Sequence, residues 1–378
     1  MSAGPLAGIK VLEIQSLGPG PFTAMMLANL GANVLRVASP ASRAQPPFNP
    51  VLDRGRCGEI VIDLKSPDGR AQLLDLIDQA DVLIEGFRPG VMERLGVGPD
   101  DCLARNAQLI YGRVTGWGRD GPLAQRAGHD INYLALSGAL HASGSRESGP
   151  WPALNLVADF GGGGMLLALG IACALFESGI SGKGQVVDAA MLDGSATLMS
   201  MIYGLRANGR WPAARAGNFL DGSAYYYTTY RCADDGWIAV GAIEPAFRHA
   251  LFDGLGLADE ADALMQARDD DLALRERIAA IFRMRTRAHW SEVFANRDAC
   301  VSPVLTIDEA ADDPHNRAWG SLRRIDGATQ PAAAPRFSRT PAAPWPSPDA
   351  MRAALGEWQF DGRPAVRAAA MSSGSERE

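Results

Sequence analysis

No two cysteines in this chain stand at Cys-x-x-Cys spacing. Its five, Cys57, Cys102, Cys173, Cys232 and Cys300, are scattered and odd in number. That excludes a disulfide-stapled scaffold and predicts reduced thiols in a cytoplasmic protein. Histidine is equally scarce, five in 378 residues, and no His/Cys group has ligand spacing, so no metal is expected. Positive charge is in deficit: 36 Lys and Arg face 43 Asp and Glu, a net charge of −7. A nucleic-acid binder must neutralise phosphates, so none is expected as a partner. Met1-Ser2-Ala3-Gly4-Pro5 lacks a basic start and an apolar core, the marks of a secretion signal. Long apolar runs are few. The richest, Met165 to Phe176, is too short to cross a bilayer and reads as a buried helix, so no membrane partner is expected. Internal repeats are absent.

What is present alternates between strand and helix. Strand patterns at Lys10 to Ile14, Asn33 to Val37, Ile60 to Asp63, Val82 to Ile84, Leu109 to Val114 and Gln185 to Asp188 are separated by helical spacing over Phe22 to Leu30 and Gly69 to Gln79. This predicts βαβ units, hence an α/β fold with a Rossmann-like parallel sheet. Ala158 to Glu177 and Met191 to Asn208 read as helices. After a Gly/Pro/Arg-rich stretch, Tyr225 to Arg231 and Trp237 to Val240 flank Asp234-Asp235-Gly236, a hairpin signal. Helices follow near Pro245–Leu255, Asp271–Phe282 and Arg287–Ala295, as in a small α+β domain. The expected division is a large domain over 1–208, a linker over 209–224, a small domain over 225–305 and a return segment over 306–370. A disordered tail is expected over 371–378.

Two residues carry the parts of a proton-transfer site. His129 stands in Gly128-His129-Asp130-Ile131-Asn132-Tyr133, and Asp159 opens onto Gly161-Gly162-Gly163-Gly164. Imidazole titrates nearest neutrality, and a carboxylate can oppose it as acid or base. Each also has a plainer account, His129 as a core histidine bonded to backbone and Asp159 as the N-cap of the helix that follows. Glu244, directly after a strand, is either a first-turn acid favoured by the helix dipole or a carboxylate that orients His129 as a triad's third member orients its base. Sequence spacing does not bring the three together. Arg36, Arg43, Arg54, Arg56, Lys65 and Arg88 gather in the first domain, where strand ends could present them to phosphates. Gly18-Pro19-Gly20 after the first strand invites a dinucleotide reading. Thr23 stands where the third glycine belongs, however, and Val37-Ala38-Ser39 carries no ribose-binding acid, so NAD is not expected.

Longer motifs join these residues. Leu6-Ala-Gly-Ile-Lys-Val-Leu-Glu13, Gly18-Pro-Gly-Pro21, Leu30-Gly-Ala-Asn-Val-Leu-Arg36, Asp63-Leu-Lys65, Ala80-Asp-Val-Leu-Ile-Glu-Gly-Phe-Arg-Pro-Gly90 and Gly182-Lys-Gly-Gln-Val-Val-Asp188 resemble the family III CoA-transferases. Ala127-Gly-His-Asp-Ile-Asn-Tyr133, Leu154-Asn-Leu-Val-Ala-Asp-Phe160, Val240-Gly-Ala-Ile-Glu-Pro245 and Asp298-Ala-Cys-Val-Ser-Pro-Val304 resemble the α-methylacyl-CoA racemase branch. The resemblance runs from Leu6 to Thr340.

It implies an interlocked homodimer acting on an acyl-CoA thioester, with no cofactor and no metal. His129 and Asp159 would exchange the α-proton of a 2-methylacyl-CoA on opposite faces. Glu244, from the partner subunit, would fix the His129 tautomer. Backbone N–H groups near Asp159 and the glycines would stabilise the enolate. The resemblance also implies CoA contacts from Arg36, Arg54, Arg56, Ile62, Arg88, Gly128, Asp130, Tyr133 and Asn155. Ser39, Cys57, Ser223 and Tyr225 depart from the racemase pattern, and Ser223 and Tyr225 are expected to line or gate the acyl pocket. Two other readings compete: a family III CoA transferase with Asp159 as nucleophile, and a thioester-binding protein without activity.

Overall fold

The computed structural model describes residues 4–41, 49–145, 148–212, 214–325, 327–342, 348–360 and 366–368. The expected disordered tail and Arg43 lie outside the described residues. The chain forms two compact units, one from 1–137, 153–198 and 320–378, the other from 138–152 and 199–319.

The first unit is built on six parallel strands: β1 (Lys10–Ile14), β2 (Asn33–Ala38), β3 (Arg56–Val61), β4 (Val82–Glu85), β5 (Ile110–Thr115) and β6 (Gln185–Ala190). A short C-terminal strand, Val366–Ala368, joins antiparallel at one edge, giving the order C-terminal strand, β3, β2, β1, β4, β5, β6. Strands β2, β4 and β5 are buried along their whole length, as a parallel sheet covered on both faces requires. Two helices show how the chain turns between them. Gly18 takes φ 72°, open to glycine without strain, and Pro19 then starts α1 (Pro19–Asn29). Ser66 accepts from the Gly69 N–H at 3.0 Å to cap α2 (Pro67–Ile77), which also begins on proline.

The path runs outward from β1 to β3, then returns to place β4 on the other side of β1. The crevice at such a reversal is where open α/β sheets bind ligands. The last part of the chain comes back to this sheet. Trp358 is buried with Leu35, Ile60 and Leu73, and its indole N–H donates to Asn33 Oδ1 at 3.1 Å.

The second unit contains an antiparallel sheet of β7 (Tyr227–Arg231), β8 (Trp237–Gly241) and β9 (Val301–Val304), with β8 central. Its hairpin turns through Asp235 at φ 61°, closed by the Cys232 N–H donating to Gly236 O at 2.8 Å, so Asp234-Asp235-Gly236 is the turn. An aromatic core of Tyr225, Tyr230, Phe252, Phe282 and Trp290 fills the unit.

The unit boundaries differ from those expected. The helix foreseen over Met191 to Asn208 is broken at Met199, where the longer segment of the second unit begins. It ends at 319 rather than 305, because Arg287 donates to Val304 O at 2.8 Å and pairs with Glu309. Those bonds hold the helices Ile307–Ala310 and Pro314–Trp319 with the second unit.

Candidate active site

His129 begins the helix α3 (Asp130–Leu136) in extended conformation, its own N–H donating to Asn132 Oδ1 at 3.0 Å. The residue is exposed, so the core-histidine account fails. The approach to α3 is shaped by glycine. A Cβ on Gly128 would stand 2.8 Å from both the Trp117 and Tyr133 rings, which meet edge to face at 4.7 Å.

Asp159 is not an N-cap. It sits within a wide π-helical segment, Leu156–Met165, that begins at Asn155 and leads into the α-helix α4 (Leu166–Ser181). Such turns recur at functional sites. Glycines make the segment packable. The helix α5 (Met191–Leu198) crosses it with Gly194 against Gly162, where an added Cβ would meet the Gly162 carbonyl at 2.0 Å. Gly164 lies against α1, with its carbonyl accepting from Thr23 Oγ1 at 2.9 Å. Phe160 stacks on Phe22 of α1 at 4.6 Å. The glycines therefore serve packing.

Asp130 ties the two halves together. Its Oδ2 accepts from the Ala158 N–H at 2.7 Å and the Asp159 N–H at 2.8 Å. This corrects the expectation of free N–H donors at Asp159, since Asp130 already takes them. The Asp159 carboxyl is half-buried, with Gly18 close by: a Cβ there would be 3.7 Å from Oδ2. Burial and the Asp130 charge push its pKa above the usual carboxylate range, while a hydrogen bond from Asn155 and the nearby His129 pull the other way. Tyr133 belongs to the same group. Burial, then the Asp159 charge, raises its hydroxyl to about 12 against the pull of Arg88. Arg88 itself is exposed and donates to Gln125 O at 3.5 Å.

The structure thus gathers His129, Asp159, Asp130, Tyr133, Asn155, Gly128 and Arg88 in the first unit. Glu244 belongs to the second, at the exposed N-cap of α7 (Pro245–Gly254), with no side-chain cap hydrogen bond.

The other basic residues do different work from that expected. Arg36 and Arg56 are buried and both donate to Glu13, at 3.2 and 2.8 Å through Nε. Arg36 also pairs with Asp53, and Arg56 donates to Pro21 O in the first turn of α1. Burial alone would raise the Glu13 pKa, but Arg56 and Arg36 outweigh it and hold it below the usual range. Arg54 donates to Gln330 at 3.4 Å, and burial followed by Arg56 lowers its pKa to about 10. These guanidinium groups brace the strand ends from inside. Ile62 is a core side chain whose N–H is bound to Ala38 O, so it offers no side chain to a ligand.

Two expectations for the acyl pocket also fail. Tyr225 is fully buried against Phe252, and the Ser223 hydroxyl is spent on Asn218 O and Asp221. Cys57 is buried too, its thiol pushed up to about 12. Sequence reasoning marked the turn at Gly18 but missed that it lies against the Asp159 carboxyl, and it missed the contact of Gly194, inside α5, with Gly162.

A model of CoA-transferase family III matches residues 6–351. Alpha-methylacyl-CoA racemase of Homo sapiens is 45% identical over 340 residues, covering 90% of this chain and 88% of the human one. The Mus musculus racemase is 45% identical over 341 residues, with the same coverage. The crystal structure of a CAIB/BAIF family protein from Brucella suis superposes with TM-score 0.76 at 26% identity, covering 94% of this chain and 99% of that one.

Proposed function

Because the chain belongs to CoA-transferase family III, we propose that it is a racemase interconverting the R and S epimers of 2-methylacyl-CoA thioesters. The observation that carries this reading is Asp159, held half-buried by Asp130 beside the exposed His129. Two groups that face one α-carbon must each act as base in one direction and acid in the other. A carboxyl with a raised pKa is suited to that exchange with imidazole, because their proton affinities are drawn together. One group removes the α-proton, the thioester enolate forms, and the other returns a proton to the opposite face. No cofactor or metal enters this sequence. A covalent transferase needs only the aspartate; the racemase reading also uses His129.

We assign Glu244 to the His129 of a partner subunit, where its carboxylate would fix the imidazole tautomer. The homodimer is supported by an apolar face on α4. Leu169, Phe176 and Ile180 are 60%, 75% and 75% exposed, more than a lone soluble chain ordinarily leaves bare. Leu156–Ser181 is also 26 residues long and apolar enough to cross a membrane, contrary to the expectation from the shorter run. Burial against a second copy in the cytoplasm is our reading of that surface. Exposed Leu156, Met165 and Leu198 would carry the acyl chain.

Incubation of a single-epimer 2-methylacyl-CoA in D2O tests the reaction. Racemisation with α-deuterium uptake and no acid acceptor is expected. His129→Ala or Asp159→Ala should slow it roughly 10²–10⁴-fold. Turnover strictly dependent on a carboxylate acceptor would establish the transferase instead, and no exchange with any branched thioester would leave a binding protein.

A further inference from the structure

The second unit contains a cavity of about 340 Å³ that the proposed reaction does not use. One wall is a face of α6 (Ser200–Ala207) and the residue before it: Met199, Ile202, Tyr203 and Arg206 recur at helical spacing. Across from them stand His141, Trp211, Arg215 and Asn218. Two guanidinium groups and an imidazole line this space, and no carboxylate does.

Both arginines are held by backbone. Arg206 Nη1 donates to Trp211 O at 3.2 Å, and Arg215 Nε donates to His141 O at 2.9 Å. Neither pairs with a carboxylate among the described residues. Each bond orients its guanidinium and uses a single donor, which leaves the fork that matches a carboxylate's two oxygens. Met199, Ile202 and Trp211 make the rest of the wall apolar. Asn218 is turned to its own neighbours, its amide N–H groups donating to Ala214 O and Asp221.

We infer that this cavity binds a free medium-chain carboxylic acid, its carboxylate between Arg206 and Arg215 and its chain along Met199, Ile202 and Trp211. The volume lies at the lower end of the range for small-molecule sites, enough for a chain of about ten carbons.

Calorimetric titration of the full chain with decanoate, and separately with decan-1-ol, tests this. One decanoate per chain is expected, bound at least tenfold more tightly than the alcohol. The double variant Arg206→Gln, Arg215→Gln should lose that preference while keeping its circular dichroism spectrum and exchange activity. Ile202→Trp, which fills the apolar wall, should weaken both ligands and serves if the double variant does not fold. Equal affinity for acid and alcohol would overturn the inference. So would decanoate binding unchanged in the variants, or a crystal structure that places decanoate elsewhere.

Discussion

Asp130 spends one oxygen on two backbone N–H groups, while its other oxygen is buried and accepts no hydrogen bond from the described residues. It therefore does two things to Asp159: it holds the backbone and presses a negative charge on the carboxyl. Asp130→Asn separates them, since the amide oxygen can keep both hydrogen bonds while the charge is lost. The Asp159 pKa should then fall towards its ordinary value. The acidic limb of the pH–rate profile should move to lower pH, and exchange should slow roughly tenfold for each unit by which proton affinities part. An unchanged limb in a folded variant would show that the Asp130 charge does not tune the site.

Elements meet here through glycine and buried charge. Gly194 on α5 and Gly162 in the π-helical segment touch backbone to backbone. Gly194→Ala forces a Cβ onto a carbonyl that cannot swing aside, so a loss of about 1–3 kcal/mol is expected by urea unfolding. Activity should fall further than stability, because the shifted segment carries Asp159. The second device is the Glu13–Arg36–Arg56 cluster, which ties β1, β2 and β3. Glu13→Gln leaves two buried guanidinium groups facing a neutral amide, and unfolding should show a loss of roughly 3–5 kcal/mol. The Glu13 pKa is lowered in the folded chain. Its contribution is thus complete above the ordinary glutamate range and disappears as pH falls through the lowered value. The variant should be insensitive to pH there. Equal stability of the two proteins at neutral pH would mean the cluster is not needed to hold these strands.

For the whole molecule, the apolar face of α4 sets the prediction. Sedimentation should give twice the chain mass, and Phe176→Asp with Ile180→Asp should give the single chain with exchange activity lost. Wild-type protein that sediments as one chain at full activity would refute both the dimer and the assignment of Glu244 to a partner.

Much of this was legible from residue order. Buried strands such as Lys10–Ile14 and Asn33–Ala38 declare themselves because both faces of a parallel sheet demand apolar residues. The motifs around His129 and Asp159 pointed to the family that the comparisons show, since local chemistry is written in local sequence. The fate of the arginines was not legible: Arg36 and Arg56 read as phosphate contacts at strand ends until the fold set Glu13 between them. The break at Met199 was equally hidden, because the apolar pattern runs on through it. Asp159 was seen as carboxylate and glycine, but its place inside a wide turn, clamped by Asp130 from 29 residues earlier, came only from tertiary structure. Sequence determined which groups were available and which strands would form. Packing decided which charges are buried and paired and which carboxyl is left with a raised pKa, because both depend on neighbours that chain order does not specify.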